Sequence, residues 1–145
     1  LVLEKEQDIP EEDKVRFLNG ISLKQRRKMY EYLTHYLLRA EDDAKADIMG
    51  YIYKERVYGR VDGEMFLRLC SIVDRSFVCD LKHLPEYADD HKYSNDENFL
   101  IVNQFTNLGL IDNDIDTGAW FYGASIGLND IGLNLHRILE SNGWY

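Results

Sequence analysis

The chain of 145 residues is 45% hydrophobic and 12% aromatic, enough to bury a sizeable core and to exclude global disorder. Its formal net charge of −9 disfavours non-specific attachment to nucleic acid or to an anionic membrane surface. No apolar run approaches the roughly 18 residues of a membrane span, and two cysteines are too few for a disulfide framework.

Leu1-Val2-Leu3-Glu4-Lys5-Glu6 holds neither Met nor a leader-like apolar stretch, so the start reads as that of a fragment whose upstream segments are unseen. Pro10 and the acids behind it predict a short helix over Glu11–Leu18, closed by Asn19-Gly20. Ser22 with Gln25 forms a capping box opening a helix to about Ala40, on which Met29, Tyr30, Leu33, Leu37 and Leu38 recur at helical spacing. Glu41-Asp42-Asp43 starts a third helix, Ala44 to about Tyr58. After the turn Gly59–Gly63, with Asp62 as N-cap, the longest predicted helix runs from Glu64 to about Leu84 and stops at Pro85. Its stripe of Phe66, Leu69, Cys70, Val73, Phe77, Leu81 and Leu84, widened by Ile72, Val78 and Cys79, predicts a central helix. On one helix Cys70 and Cys79 point to opposite sides, so two buried free thiols in a reducing cytoplasm are expected.

Residues 86–93 read as a polar connection. Ser94 with Glu97 is a further capping box, predicting a helix from Asn95 to Leu108 with Phe99, Leu100, Val102 and Phe105 inside and Gly109 at its end. Leu110-Ile111 and Trp120–Leu128 predict two strands around the turn Asp112–Gly118; Asn129 caps the last helix and Ser141-Asn142-Gly143 releases the chain. The expected fold is mainly α: a helical bundle over residues 1–93, then a winged-helix-like subdomain with a short β-hairpin over 94–145.

Leu108-Gly109-Leu110-Ile111, the aromatic strand and the spacing of Leu128, Gly132 and Leu135 resemble the C-terminal half of winged-helix regulators. Ile48–Tyr53, Gly59–Asp62 and Phe66–Cys70, with Asp80-Leu81, resemble uncharacterised bacterial and phage-type small helical proteins with a winged-helix-like end. The resemblance covers about residues 40–140. It implies the helical-plus-winged-helix architecture, and some such proteins carry a hydrophobic segment upstream, but it brings no activity with it. The charges argue against DNA recognition by this end. Residues 95–128 contain no Lys or Arg, and Glu86–Gly118 hold eight acidic residues against Lys92 alone. A groove-entering helix of that charge is repelled by phosphate, so packing or protein contact is the expected use of the fold.

Lys24, Arg26, Arg27 and Lys28 form one basic cluster at a helix start, where positive charge opposes the helix dipole. They suit an acidic partner, nucleic acid or lipid headgroups, or pairing with the chain's own acids. Ten tyrosines are many for this length; Tyr32 and Tyr36, with Trp120 and Tyr122, are candidate partner contacts. Asp112-Asn113-Asp114-Ile115-Asp116 begins like a calcium loop, but Thr117 and Gly123 occupy the positions where an EF-hand needs Gly and Glu. His83, Glu86, Asp89, Asp90 and His91 bunch on a polar connection without the fixed ligands of a structural zinc site. No nucleophile–base pair, phosphate loop or paired-carboxylate motif names a reaction. The expectation is a non-enzymatic cytoplasmic interaction or regulatory module without cofactor or metal, contacting a protein partner or a second copy of itself. The alternative is a nucleic-acid-binding transcriptional regulator using Lys24–Lys28. The full-length protein is open to a membrane anchor upstream of Leu1.

Overall fold

A computed structural model describes residues 8–88, 92–93, 97–112 and 125–145. The fold is mainly helical, and the chain divides into two compact units, Leu1–Asp74 and Arg75–Tyr145.

The first unit contains α1 (Glu11–Asn19), α2 (Leu23–Arg39), α3 (Asp43–Val57) and α4, which starts at Gly63 and ends at Arg75. Local capping chemistry sets each start after α1. The Ser22 hydroxyl accepts the Gln25 amide while the Gln25 side chain accepts the Ser22 amide, the reciprocal box expected from the sequence. Asp42 accepts the Lys45 amide at 2.9 Å, and Asp62 accepts the Met65 amide at 2.8 Å. Within this unit α3 is the central helix. Ile48, Met49, Gly50, Ile52 and Tyr53 are buried and Tyr51 between them is half-buried, so the helix is covered on more sides than one stripe.

Two ionisable side chains are buried with α3, and each has a bond that explains its place. The Lys45 ammonium donates to the Asp74 carbonyl at 2.9 Å, and Glu55 receives Arg60 Nε at 3.0 Å. The Lys45 contact accounts for the main departure from the predicted helix order. The expected long helix to Leu84 stops at Arg75, because the Asp74 carbonyl that would accept the Val78 amide in a continuing helix is taken by Lys45. Phe77 is extended (φ −88°, ψ 128°) and 64% exposed, although the sequence pattern placed it on the buried stripe.

The second unit is built from shorter pieces: α5 (Val78–Leu81), a 3-10 turn (Leu84–Tyr87) that contains Pro85, β1 (Lys92–Tyr93), α6 (Phe99–Leu108), β2 (Ser125–Ile126) and α7 (Asp130–Ser141). Leu81, Leu84, Tyr87, Phe105, Leu110 and Leu135 are among its core side chains, with the Tyr87 and Phe105 rings edge-to-face at 5.8 Å. Helix α6 starts at Phe99, four residues later than predicted, and Phe99 and Leu100 are exposed, whereas Val102 and Phe105 are buried as expected.

The predicted β-hairpin is not present among the described residues. Leu110-Ile111 is a turn, and β2 pairs antiparallel with β1, Lys92 opposite Ile126 and Tyr93 opposite Ser125. The backbone explains why Leu110 is no strand residue. Gly109 sits at φ 82°, the Leu110 amide closes back on the Phe105 carbonyl at 2.9 Å, and the Leu110 carbonyl accepts the Asn129 amide at 2.9 Å. Both of its ladder groups are therefore already used. The rest of the acidic turn and the aromatic strand, residues 113–124, lies outside the described residues.

Asn129 organises this end. Its side chain accepts the Gly132 amide at 3.0 Å and donates to the Gly109 carbonyl at 2.8 Å and to Asp112 at 2.9 Å. Gly132 is required by contact rather than by dihedral angle, since a Cβ there would lie 2.6 Å from the Leu110 carbonyl oxygen.

Candidate partner-binding site

The capping box at Ser22 fixes the first turn of α2 and with it the direction of Gln25 and, one turn on, Lys28. Between them Arg26 turns inward. Its guanidinium donates to the Leu18 carbonyl at 2.6 Å, closing the end of α1, and its Nε is buried without a hydrogen-bond partner. Arg26 is thus tied to the end of α1. Lys24, Arg27 and Lys28 are exposed, and among the described residues their side chains have no acidic partner. The self-pairing with nearby Asp and Glu that the composition allows is not found at this cluster among the described residues.

Lys28 stands on the rim of a cleft of about 530 Å³ within the first unit. Met29 and Phe66, both buried, and Leu67 give it an apolar floor. Arg56, Asp62, Gly63 and Glu64 contribute the facing wall. The charged groups of this wall are not equivalent. Asp62 is engaged by the Met65 amide, and Glu64 receives Arg68 at 3.0 Å. Arg56 lies over the Phe17 ring, 4.9 Å from its centroid, a cation–π contact that leaves its N–H edges available. Neither the Arg56 nor the Lys28 side chain has a hydrogen bond or ion pair among the described residues. A second hollow of about 380 Å³ shares Ile21 and Arg56 and is bordered by Asp13 and Tyr58. There the Tyr58 hydroxyl donates to Asp13 at 3.0 Å, a bond that raises the pKa of the phenol.

The other predicted contacts are distributed differently. Tyr32 is 42% exposed on α2 and packs on Tyr36 with ring centroids 6.2 Å apart, but neither lines the cleft. Trp120 and Tyr122 lie outside the described residues, as do residues 113–116 of the calcium-like loop. Asp112, which begins that loop, is held by the Asn129 cap instead. His83 is hydrogen-bonded to Glu86 on the surface of the 3-10 turn, and residues 89–91 of that cluster lie outside the described residues. Among the described residues no group of three or more His, Cys, Asp or Glu is placed to hold a metal ion. Both cysteines are free; Cys70 is buried, but Cys79 is exposed, a correction to the expected pair of buried thiols. The break after Arg75 has taken Cys79 off the stripe that Cys70 shares.

Sequence reading missed Arg56 and the apolar floor it borders. One signal for Arg56 was present: three and four residues to either side stand Ile52, Tyr53, Gly59 and Arg60, so no acid is within helical reach of it. Compared with known proteins, the chain matches no family model, no curated protein and no solved structure. No helix among the described residues is long and apolar enough to cross a membrane.

Proposed function

We propose that the chain is a non-catalytic, cytoplasmic protein-contact module whose first unit seats a segment of a partner in the cleft between the starts of α2 and α4. The observation that carries this reading is the pairing of an apolar floor, Met29 and Phe66, with two cations, Lys28 and Arg56, whose side chains have no hydrogen bond or ion pair among the described residues. A volume of about 530 Å³ lies within the roughly 300–1,000 Å³ of pockets that take small ligands or a few side chains. On the same reading the second unit serves packing and protein contact rather than DNA recognition. Helix α6 carries no Lys or Arg, and the Gly109 turn that would lead into a wing is occupied by the start of α7.

Selection of peptides from a displayed library against the protein tests the proposal. Binders are expected to lose affinity for Leu67→Glu, which puts a charge on the cleft floor, and to keep it for Leu38→Glu, an exposed position on α2. Equal binding to both variants, or no binders at all, sinks the reading. The exposed cations Lys24, Arg27 and Lys28 favour one alternative, a nucleic-acid-binding regulator. Its signature is affinity for an oligonucleotide that falls steeply with salt and with Lys24→Glu.

A further inference from the structure

We infer that the partner segment is acidic: a peptide carboxylate held by Arg56 and Lys28, beside an apolar side chain seated over Met29, Phe66 and Leu67. This rests on the docking reading above and adds the chemistry of the occupant. Four charged side chains line the cleft, Lys28, Arg56, Asp62 and Glu64. Glu64 is paired with Arg68 and Asp62 accepts the Met65 amide, so with Arg68 counted the cleft has three cations against two carboxylates and its net charge is positive. That local sign runs against the net −9 of the chain, and it selects an anion from solution.

The form of the two cations narrows the anion. The face of Arg56 rests on Phe17 at 4.9 Å, which orients the guanidinium and leaves its N–H edge free for a bidentate carboxylate. Gly63 lies beside that edge, and a Cβ there would sit at ordinary contact distance, 3.6 Å from Nη2. The apolar floor gives a peptide an anchor that a phosphate backbone does not use.

The test is fluorescence anisotropy on the full chain with a labelled peptide of Glu-Glu-Phe-Leu core and its Lys-Lys-Phe-Leu counterpart. The acidic peptide is expected to bind about tenfold or more tightly, a difference of at least one charge-assisted contact. Arg56→Glu is expected to reverse the preference toward the basic peptide. Lys28→Glu, on the exposed rim and away from Phe17, is the second variant should loss of the Phe17 stacking unfold Arg56→Glu, with circular dichroism as the folding check. Charge-blind binding, or preference for the basic peptide, overturns the acidic assignment; sensitivity to Leu67→Glu would then show that the docking reading survives. If neither peptide binds and library binders ignore Leu67→Glu, both fall. Two further outcomes also overturn the assignment. One is a self-association in sedimentation that Arg56→Glu abolishes, which makes the occupant a second copy. The other is an oligonucleotide that outcompetes the acidic peptide.

Discussion

The two units of this chain divide its charge unevenly. Residues 1–74 carry 13 Lys and Arg against 15 Asp and Glu, whereas residues 75–145 carry 4 against 11. The overall acidity is therefore mainly a property of the second unit, and it says little about the surface of the first, where Lys24, Arg27, Lys28 and Arg56 have no acidic partner among the described residues. The units also differ in what holds their elements. In the first, caps are local: Ser22, Asp42 and Asp62 each bond an amide three residues ahead. In the second, the start of α7 is held by atoms distant in sequence, with Asn129 reaching Gly109 and Asp112. The helix starts of the first unit rest on neighbours along the chain, and the start of α7 adds contacts across it to its local cap.

The most disruptive way to probe that difference is Gly132→Ala. The added methyl would lie 2.6 Å from the Leu110 carbonyl oxygen and 3.0 Å from the Leu128 side chain, and a backbone carbonyl cannot swing aside as a flexible side chain does. A loss of about 3 kcal/mol is expected, at the upper end of forced overpacking. Trp144 belongs to the second unit, so the urea midpoint of tryptophan fluorescence reads this loss. A midpoint within experimental error of the unsubstituted protein would mean that α7 is not pressed against the Gly109 turn. Ser22→Ala, in the first unit, removes one local cap and is expected to cost about 1 kcal/mol. Its measurement is the thermal transition of the helical circular dichroism. A loss as large as that of Gly132→Ala would erase the contrast between local and long-range control.

The same contrast explains what was legible in the sequence. The N-caps Ser22, Asp62 and Asn129 and the C-terminal Gly109 were readable because a cap needs only residues within one turn. The end of α4 was not, because it depends on the ammonium of Lys45, 29 positions earlier in the chain. Nor was the fate of Leu110-Ile111. An apolar pair fits a short strand until the Asn129 amide takes the Leu110 carbonyl. Period and propensity carry no record of such partners. For the candidate site, the basic cluster was visible as a charge run, but only packing separates Arg26, folded onto Leu18, from Lys28 at the cleft rim. Arg56 joins Lys28 there from a different helix.

The smallest expected effect is one of reactivity, and it compares one thiol from each unit. Cys70 lies fully buried in the first unit, where burial pushes its pKa well above the ordinary 9.0 and keeps the sulfur protonated. Cys79 is exposed in the second. A thiol reagent at neutral pH should therefore modify Cys79 alone in the native protein, and Cys70 only once denaturant is added. Fast modification of both thiols would show the core of the first unit opening on the timescale of the reagent. The raised pKa also fixes the sign of a pH effect. The buried neutral thiol is favoured in the folded chain, so its contribution is complete below pH 9.0 and declines as pH rises beyond that value, where the unfolded thiol ionises and the folded one does not. Cys70→Ala or Cys70→Val should flatten that part of the alkaline decline, and Cys79→Ser should leave it unchanged. If Cys79→Ser is the substitution that flattens it, the assignment of the buried thiol to the first unit is wrong.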